Sequence, residues 1–170
     1  KFGEWVESRL HWQENQSGIM LPSIEGRLLC SSRDPQREAK AWWNEKKHEM
    51  APLSAMVVLG LGAGFHIREI LETAERPAVI FVVEKETEIM LRWQKSNLDL
   101  AAQVRFLPVG DELELRPPLD VGILEFRPAW TGNEKFYSEI SQSLHGMTIH
   151  QIVANLHHED QSKEAKIWRA

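Results

Sequence analysis

Residues 56–84 read MVVLGLGAGFHIREILETAERPAVIFVVE, and the reading of this stretch decides the fold. Met56-Val57-Val58-Leu59 is apolar and β-branched without alternation, which suits a strand buried on both faces. It breaks into Gly60-Leu61-Gly62-Ala63-Gly64, where missing β-carbons permit a tight turn and close approach of the backbone. Ile67, Ile70, Leu71 and Ala74 then recur at i, i+3, i+4 and i+7, the stripe of an amphipathic helix. Pro77 ends that connection, and Val79–Val83 forms a second apolar strand that delivers Glu84 at its carboxyl end. The order strand, glycine turn, helix, strand predicts a parallel βαβ unit of about 30 residues.

Such a unit has a ligand logic. The first turn of the helix offers unpaired N–H groups to an anion or carboxylate, and an acid at the end of the second strand can accept hydrogen bonds from a ribose. The turn reads G-x-G-x-G, with Phe65 where the dinucleotide fingerprint G-x-G-x-x-G wants its third glycine. That departure weakens a nicotinamide or flavin reading. The glycine turn and acid-ended strand resemble those of S-adenosylmethionine-dependent methyltransferases, which implies Gly60, Gly62, Gly64 and Glu84 as cofactor-binding residues. Asp111, just past the third strand, stands where methyltransferases commonly place an acid or amide near the adenine. Val58 departs from the pattern, because an acid often sits two residues before the first glycine. An empty βαβ scaffold, whose glycines only make the turn, is the competing reading.

Composition sets the class. At 170 residues the chain can bury most of its apolar surface, and 42% hydrophobic with 26% charged residues describes an ordinary globular protein. A net charge of −5 argues against a sequence-wide attraction to nucleic acid or an anionic membrane. No apolar run approaches the roughly 20 residues needed to span a bilayer. A single cysteine, Cys30, excludes an internal disulfide and suits a reducing, cytoplasmic setting. The chain opens on Lys1 and stops at Ala170 inside an expected helix, so a piece of a longer protein is expected.

Along the chain, residues 1–50 are expected to form an N-terminal helix (Phe2–Trp12), a β-hairpin and a second helix. The hairpin pairs Ile19–Leu21 with Arg27–Cys30 around a turn at Pro22–Gly26. Asp34 suits an N-cap and Pro35 the first helical position, and the helix buries Ala39, Trp42 and Trp43. Residues 51–147 form the Rossmann-like core. After Glu84 come a helix with Ile89, Met90 and Trp93 inward, strands at Val104–Leu107 and Asp120–Phe126, and a helix carrying Phe136, Tyr137, Ile140 and Leu144. Residues 148–170 are expected as C-terminal helices, broken by a turn at His157–Asp160, leading toward a further domain. Alternating strands and helices predict an α/β fold, a Rossmann-like three-layer sandwich with a mostly parallel sheet.

Other candidates are weaker. The four adjacent polar residues His157–Asp160 do not converge on one ion, and no metal site is predicted. His66 opens the helix after the glycines, where it either faces a ligand cleft or stands exposed in the first turn. Cys30 reads as a small core residue. No catalytic residue can be named. Of seven tryptophans, Trp42, Trp43 and Trp93 fit core positions, while Trp5, Trp12, Trp130 and Trp168 could line a domain interface.

Several segments together resemble the region N-terminal to the hydroxymethylpterin diphosphokinase-like domain of bacterial motility-associated-factor proteins. They are Leu21-Pro22-Ser23 with Gly26, Leu28–Ser31 leading to Asp34-Pro35 and Glu38-Ala39, and Val58–His66 with its aromatic-His pair after the glycines. Val82-Val83-Glu84 and Lys166–Ala170 complete the set, while Cys30 replaces a commoner histidine. The resemblance implies a part in flagellin glycosylation with sialic-acid-like sugars, the catalytic centre lying mostly in a following domain. Its implied partners are that C-terminal domain of the same parent chain and a flagellar protein, not nucleic acid or membrane. The cofactor classes left open are S-adenosylmethionine and a nucleotide-sugar, with Gly60, Gly62, Gly64, His66, Glu84 and Asp111 as the binding set. An autonomous methyltransferase and a degenerate, non-catalytic interaction module are the alternatives.

Overall fold

The computed structural model describes residues 9–107 and 120–146. Its centre is the strand read from the sequence. β4 (Ala55–Leu59) is buried at all five positions, as a strand covered on both faces must be. It pairs in parallel with β5 (Val79–Val83) on one side and β7 (Val121–Glu125) on the other. β6 (Arg105–Phe106) extends the sheet beyond β5, giving the order β6-β5-β4-β7. The chain thus steps outward from β4 twice and then returns to its opposite side. The gap beyond the carboxyl ends of β4 and β7 is the topological switch point, where open α/β sheets commonly bind ligands.

Helices follow from the periodicities. α1 (Pro35–Met50) starts where expected, the Asp34 side chain accepting from the Arg37 N–H at 2.9 Å and Pro35 opening the first turn. It buries Ala39, Trp43 and Met50 and leaves Trp42 partly exposed. α2 (Phe65–Glu72) follows the glycine turn, and α3 (Thr87–Ser96) and the short α4 (Leu98–Ala101) follow β5. Trp43, Ile67, Ile70, Ile89 and Trp93 from these helices share one apolar cluster with Met56, Val58, Ile80, Val82 and Leu124. A second cluster joins Val57, Leu59 and Val83 to Trp130, Tyr137 and Leu144. The last two belong to α5, the helix over residues 134–146. Alternate residues of β4 therefore feed opposite clusters, as the pleat requires.

The amino-terminal part differs from expectation. β1 (Leu10–Glu14), β2 (Met20–Ile24) and β3 (Arg27–Leu28) form a separate antiparallel sheet in the order β1-β2-β3. Leu10 and Trp12, expected in a helix, pair across strands with Ile24 and Pro22. Phe2, Trp5, Val6 and Leu10 recur at helical spacing, whereas Leu10 and Trp12, two apart, share a face only in a strand, and pairing with β2 decides for the strand. Residues 2–8 of that expected helix lie outside the described residues. The hairpin itself is present with a tighter turn, Glu25 and Gly26 both taking positive φ (52° and 79°). Two residues with positive φ match the right-handed twist of the flanking strands. β3 stops at Leu28, so Cys30 is buried but not in a strand. The expected helices after residue 147, the His157–Asp160 turn and Asp111 lie outside the described residues.

The small sheet is not free-standing. Leu10, Ile24 and Leu29 belong to the same apolar cluster as β4 and β5. Arg9 donates to the Gly132 carbonyl at 2.9 Å, and Ile24 packs against Gly132. Asp34→Ala removes the acceptor for the Arg37 N–H at the start of the longest helix described. It is expected to lower the stability by about 1 kcal/mol in urea denaturation; an unchanged midpoint would contradict the capping role.

Candidate functional site

The switch point is lined by the glycine turn, the end of β5 and the segment after β7. Glu84, placed by β5, turns inward and is only 5% exposed. Its Oε1 accepts the Leu61 and Gly62 N–H groups at 3.2 and 3.0 Å. Its Oε2 accepts the Glu86 N–H at 2.8 Å and the Tyr137 hydroxyl at 3.0 Å. A carboxylate has about four acceptor positions, and this one has four donors. Burial pushes the Glu84 carboxyl above the ordinary value, while bonds from Glu86, Gly62, Tyr137 and Leu61 pull against it. Every partner donates, so the site is built for the ionised form.

The glycines make room for protein atoms. A β-carbon on Gly60 would sit 2.8 Å from Ala129 Cβ, and one on Gly62 would sit 2.9 Å from the same atom. Both take positive φ (103° and 52°). Ala129 belongs to the 3₁₀ turn Arg127–Trp130, which Pro128 and the sharp exit from β7 favour. Its neighbour Trp130 is 2% exposed and donates its indole N–H to the Leu59 carbonyl at 2.8 Å, capping the end of β4. From the hairpin side, the Leu29 carbonyl lies 3.2 Å from the Gly62 β-position. At Gly64 a β-carbon would meet the Trp93 indole.

His66 neither lines a cleft nor stands in solvent. It is 1% exposed, stacked on Phe126 at 3.8 Å between ring centroids, with Trp42 edge-on at 5.4 Å. Its Nε2 lies 2.8 Å from the Gly60 carbonyl oxygen, so Nε2 carries the proton and donates. Burial lowers its pKa to about 4, against the opposing pull of the Gly60 bond.

The structure thus gathers Gly60, Gly62, Gly64, His66 and Glu84 around one turn, with Asp111 outside the described residues. Sequence reasoning missed the residues that fill the space: Ala129, Trp130 and Tyr137. Tyr137 bridges by accepting the Lys85 N–H at 3.0 Å while donating to Glu84. Beside it, Asn133 donates to the Glu86 carboxylate at 3.0 Å. A signal existed for Tyr137, the chain's single tyrosine, set on an apolar helical stripe. None existed for Ala129. Trp130, expected at a domain interface, is instead core.

Residues 31–39 also have a structural task. Glu38 Oε1 accepts the Ser31 N–H at 2.8 Å, closing the loop onto α1. Burial, with Glu38 nearby, pushes the Cys30 thiol up to about 12, which keeps it an unreactive core thiol. Among the described residues no group of His, Cys, Asp and Glu could hold a metal ion, and no helix is long and apolar enough to cross a membrane. No protein-family model matches the chain, and a search of curated proteins finds no match.

Glu84→Gln preserves shape but replaces one acceptor oxygen by a donor facing donors. The expected loss is about 2 kcal/mol, with a smaller loss for Tyr137→Phe, both read from denaturant midpoints. A Glu84→Gln midpoint equal to wild type would mean the carboxylate is not structural. For His66, the folded pKa near 4 lies below the unfolded value near 6.5. Its contribution is therefore present above pH 6.5 and lost as pH falls through 4, of order 3 kcal/mol in all. Glu84, shifted upward, biases stability in the opposite sense. The difference between wild type and His66→Gln isolates the histidine: the variant should show a flatter stability profile between those pH values, and parallel profiles would refute the assignment.

Proposed function

We propose that the chain is a Rossmann-like three-layer sandwich serving an architectural and docking role in a larger, cytoplasmic, motility-associated-factor-like glycosyltransferase. One observation carries the architectural part. The Glu84 carboxylate takes the N–H groups of Leu61 and Gly62, which in a ligand-binding turn would be left for the ligand. With its acceptor positions filled, that acid cannot also hold a ribose, and Ala129 packs where a cofactor would approach Gly60 and Gly62. The parent-protein part is supported by the resemblance of Leu21–Ala39 and Val58–Glu84 to that family. Sugar transfer then belongs to a following domain, and flagellin is the acceptor the resemblance implies.

The methyltransferase reading keeps the G-x-G-x-G turn and Asp111 in its favour. It requires Glu84 to leave four hydrogen bonds. Calorimetric titration separates the two. The chain is expected to give no binding heat with S-adenosylmethionine or with a cytidine-monophosphate-activated sugar. Micromolar S-adenosylmethionine binding that Glu84→Ala abolishes would replace the architectural reading with the methyltransferase one.

A further inference from the structure

Beside the glycine turn and the Arg127–Trp130 turn packed on it, a cleft of about 410 Å³ opens against the carboxyl end of β7. That volume falls within the range of small-molecule sites, about 300–1,000 Å³. Three elements build its wall: Trp42, Glu45 and Lys46 from α1, Glu125 and Arg127 at the end of β7, and His145 from α5. Several of these groups are held in place. The Trp42 indole N–H is committed to the Glu125 carbonyl at 3.0 Å, which fixes the ring. Glu125 Oε2 accepts two Arg127 N–H groups at 3.0 and 2.9 Å, and its Oε1 accepts the Ser141 hydroxyl. His145 Nδ1 lies 2.8 Å from the Ser141 carbonyl oxygen and donates to it.

The chemistry of this wall selects a ligand class. Two carboxylates face two cations, so a phosphate or another ligand of strong single charge meets as much repulsion as attraction. Lys46 is half-buried and makes no ion pair among the described residues, so its ammonium can donate to a ligand; Glu45 beside it supplies acceptors. Hydroxyl groups both donate and accept, and can answer every member of such a set. An indole supplies a flat apolar wall for a ring's C–H face.

We propose that this cleft binds a net-neutral, polyhydroxylated ring of monosaccharide size, independently of whether the glycine turn binds any ligand. The test is ¹H–¹⁵N NMR on the full chain, titrated with N-acetylglucosamine or glucose at tens of millimolar, with inorganic phosphate and glycine as charged comparators. The Trp42 indole N–H and the Lys46 and Arg127 amides should shift with a neutral sugar and not with the comparators. Lys46→Met and Glu45→Gln, both at solvent-accessible positions, should each weaken the sugar's affinity roughly fivefold, the worth of one hydrogen bond. Silence with both sugars overturns the proposal, as does an equal response to phosphate or glycine, or a sugar response that both variants leave unchanged.

Discussion

A buried carboxylate must be hydrogen-bonded or it cannot be charged, and in this protein that constraint falls on Glu84. Leaving one donor or acceptor unsatisfied in such a place costs more than any single bond contributes. The fold meets the demand with donors from three separate parts of the chain: the glycine turn, the residue two positions after Glu84, and the hydroxyl of Tyr137 on α5. Those bonds join the crossing from β4 to α2, the exit from β5 and the helix on the other face of the sheet. Register between them follows from one side chain.

The same economy governs the space above the strands. Gly60 and Gly62 let the Arg127–Trp130 turn come within contact of the backbone, and Trp130 closes the end of β4 by bonding Leu59. On the opposite side His66 spans from Gly60 to the Phe126 ring. An aromatic residue and a histidine after the glycines thus read as a packing device: the histidine holds the carbonyl of the first glycine, and burial keeps it neutral. A motif that elsewhere approaches a ligand here approaches the protein's own chain. Beside it a cleft at the end of β7 opens to solvent, where Glu125 pairs with Arg127 and an indole is fixed in place.

Much of the fold was legible because it rests on local periodicity. The unbroken apolar run of β4, the stripe Ile67, Ile70 and Leu71 of α2 and the Asp34-Pro35 start of α1 are each dictated by neighbours in sequence and stand where they were read. Ala74, expected to continue that stripe, lies exposed beyond the end of α2 at Glu72. The first strand was not legible, because Leu10 continues the helical spacing of Phe2, Trp5 and Val6, and one alternation, Leu10 to Trp12, is too short to outweigh it until β2 pairs with them. The glycine turn was recognised, but not its occupant. Ala129 lies far along the chain and carries no periodic or chemical signal of its own.

The sequence by itself determined the βαβ order, the glycines at the end of β4 and an acid at the end of β5, since each depends on residue type and short spacing. Only the tertiary structure decided which way that acid points. Its partners lie at Leu61, Gly62, Glu86 and Tyr137, and the last reaches it only through the packing of α5 on the sheet. A carboxylate facing solvent and one facing four donors have the same local sequence. The difference is made by long-range burial, which removes water and leaves the backbone N–H groups as its replacement.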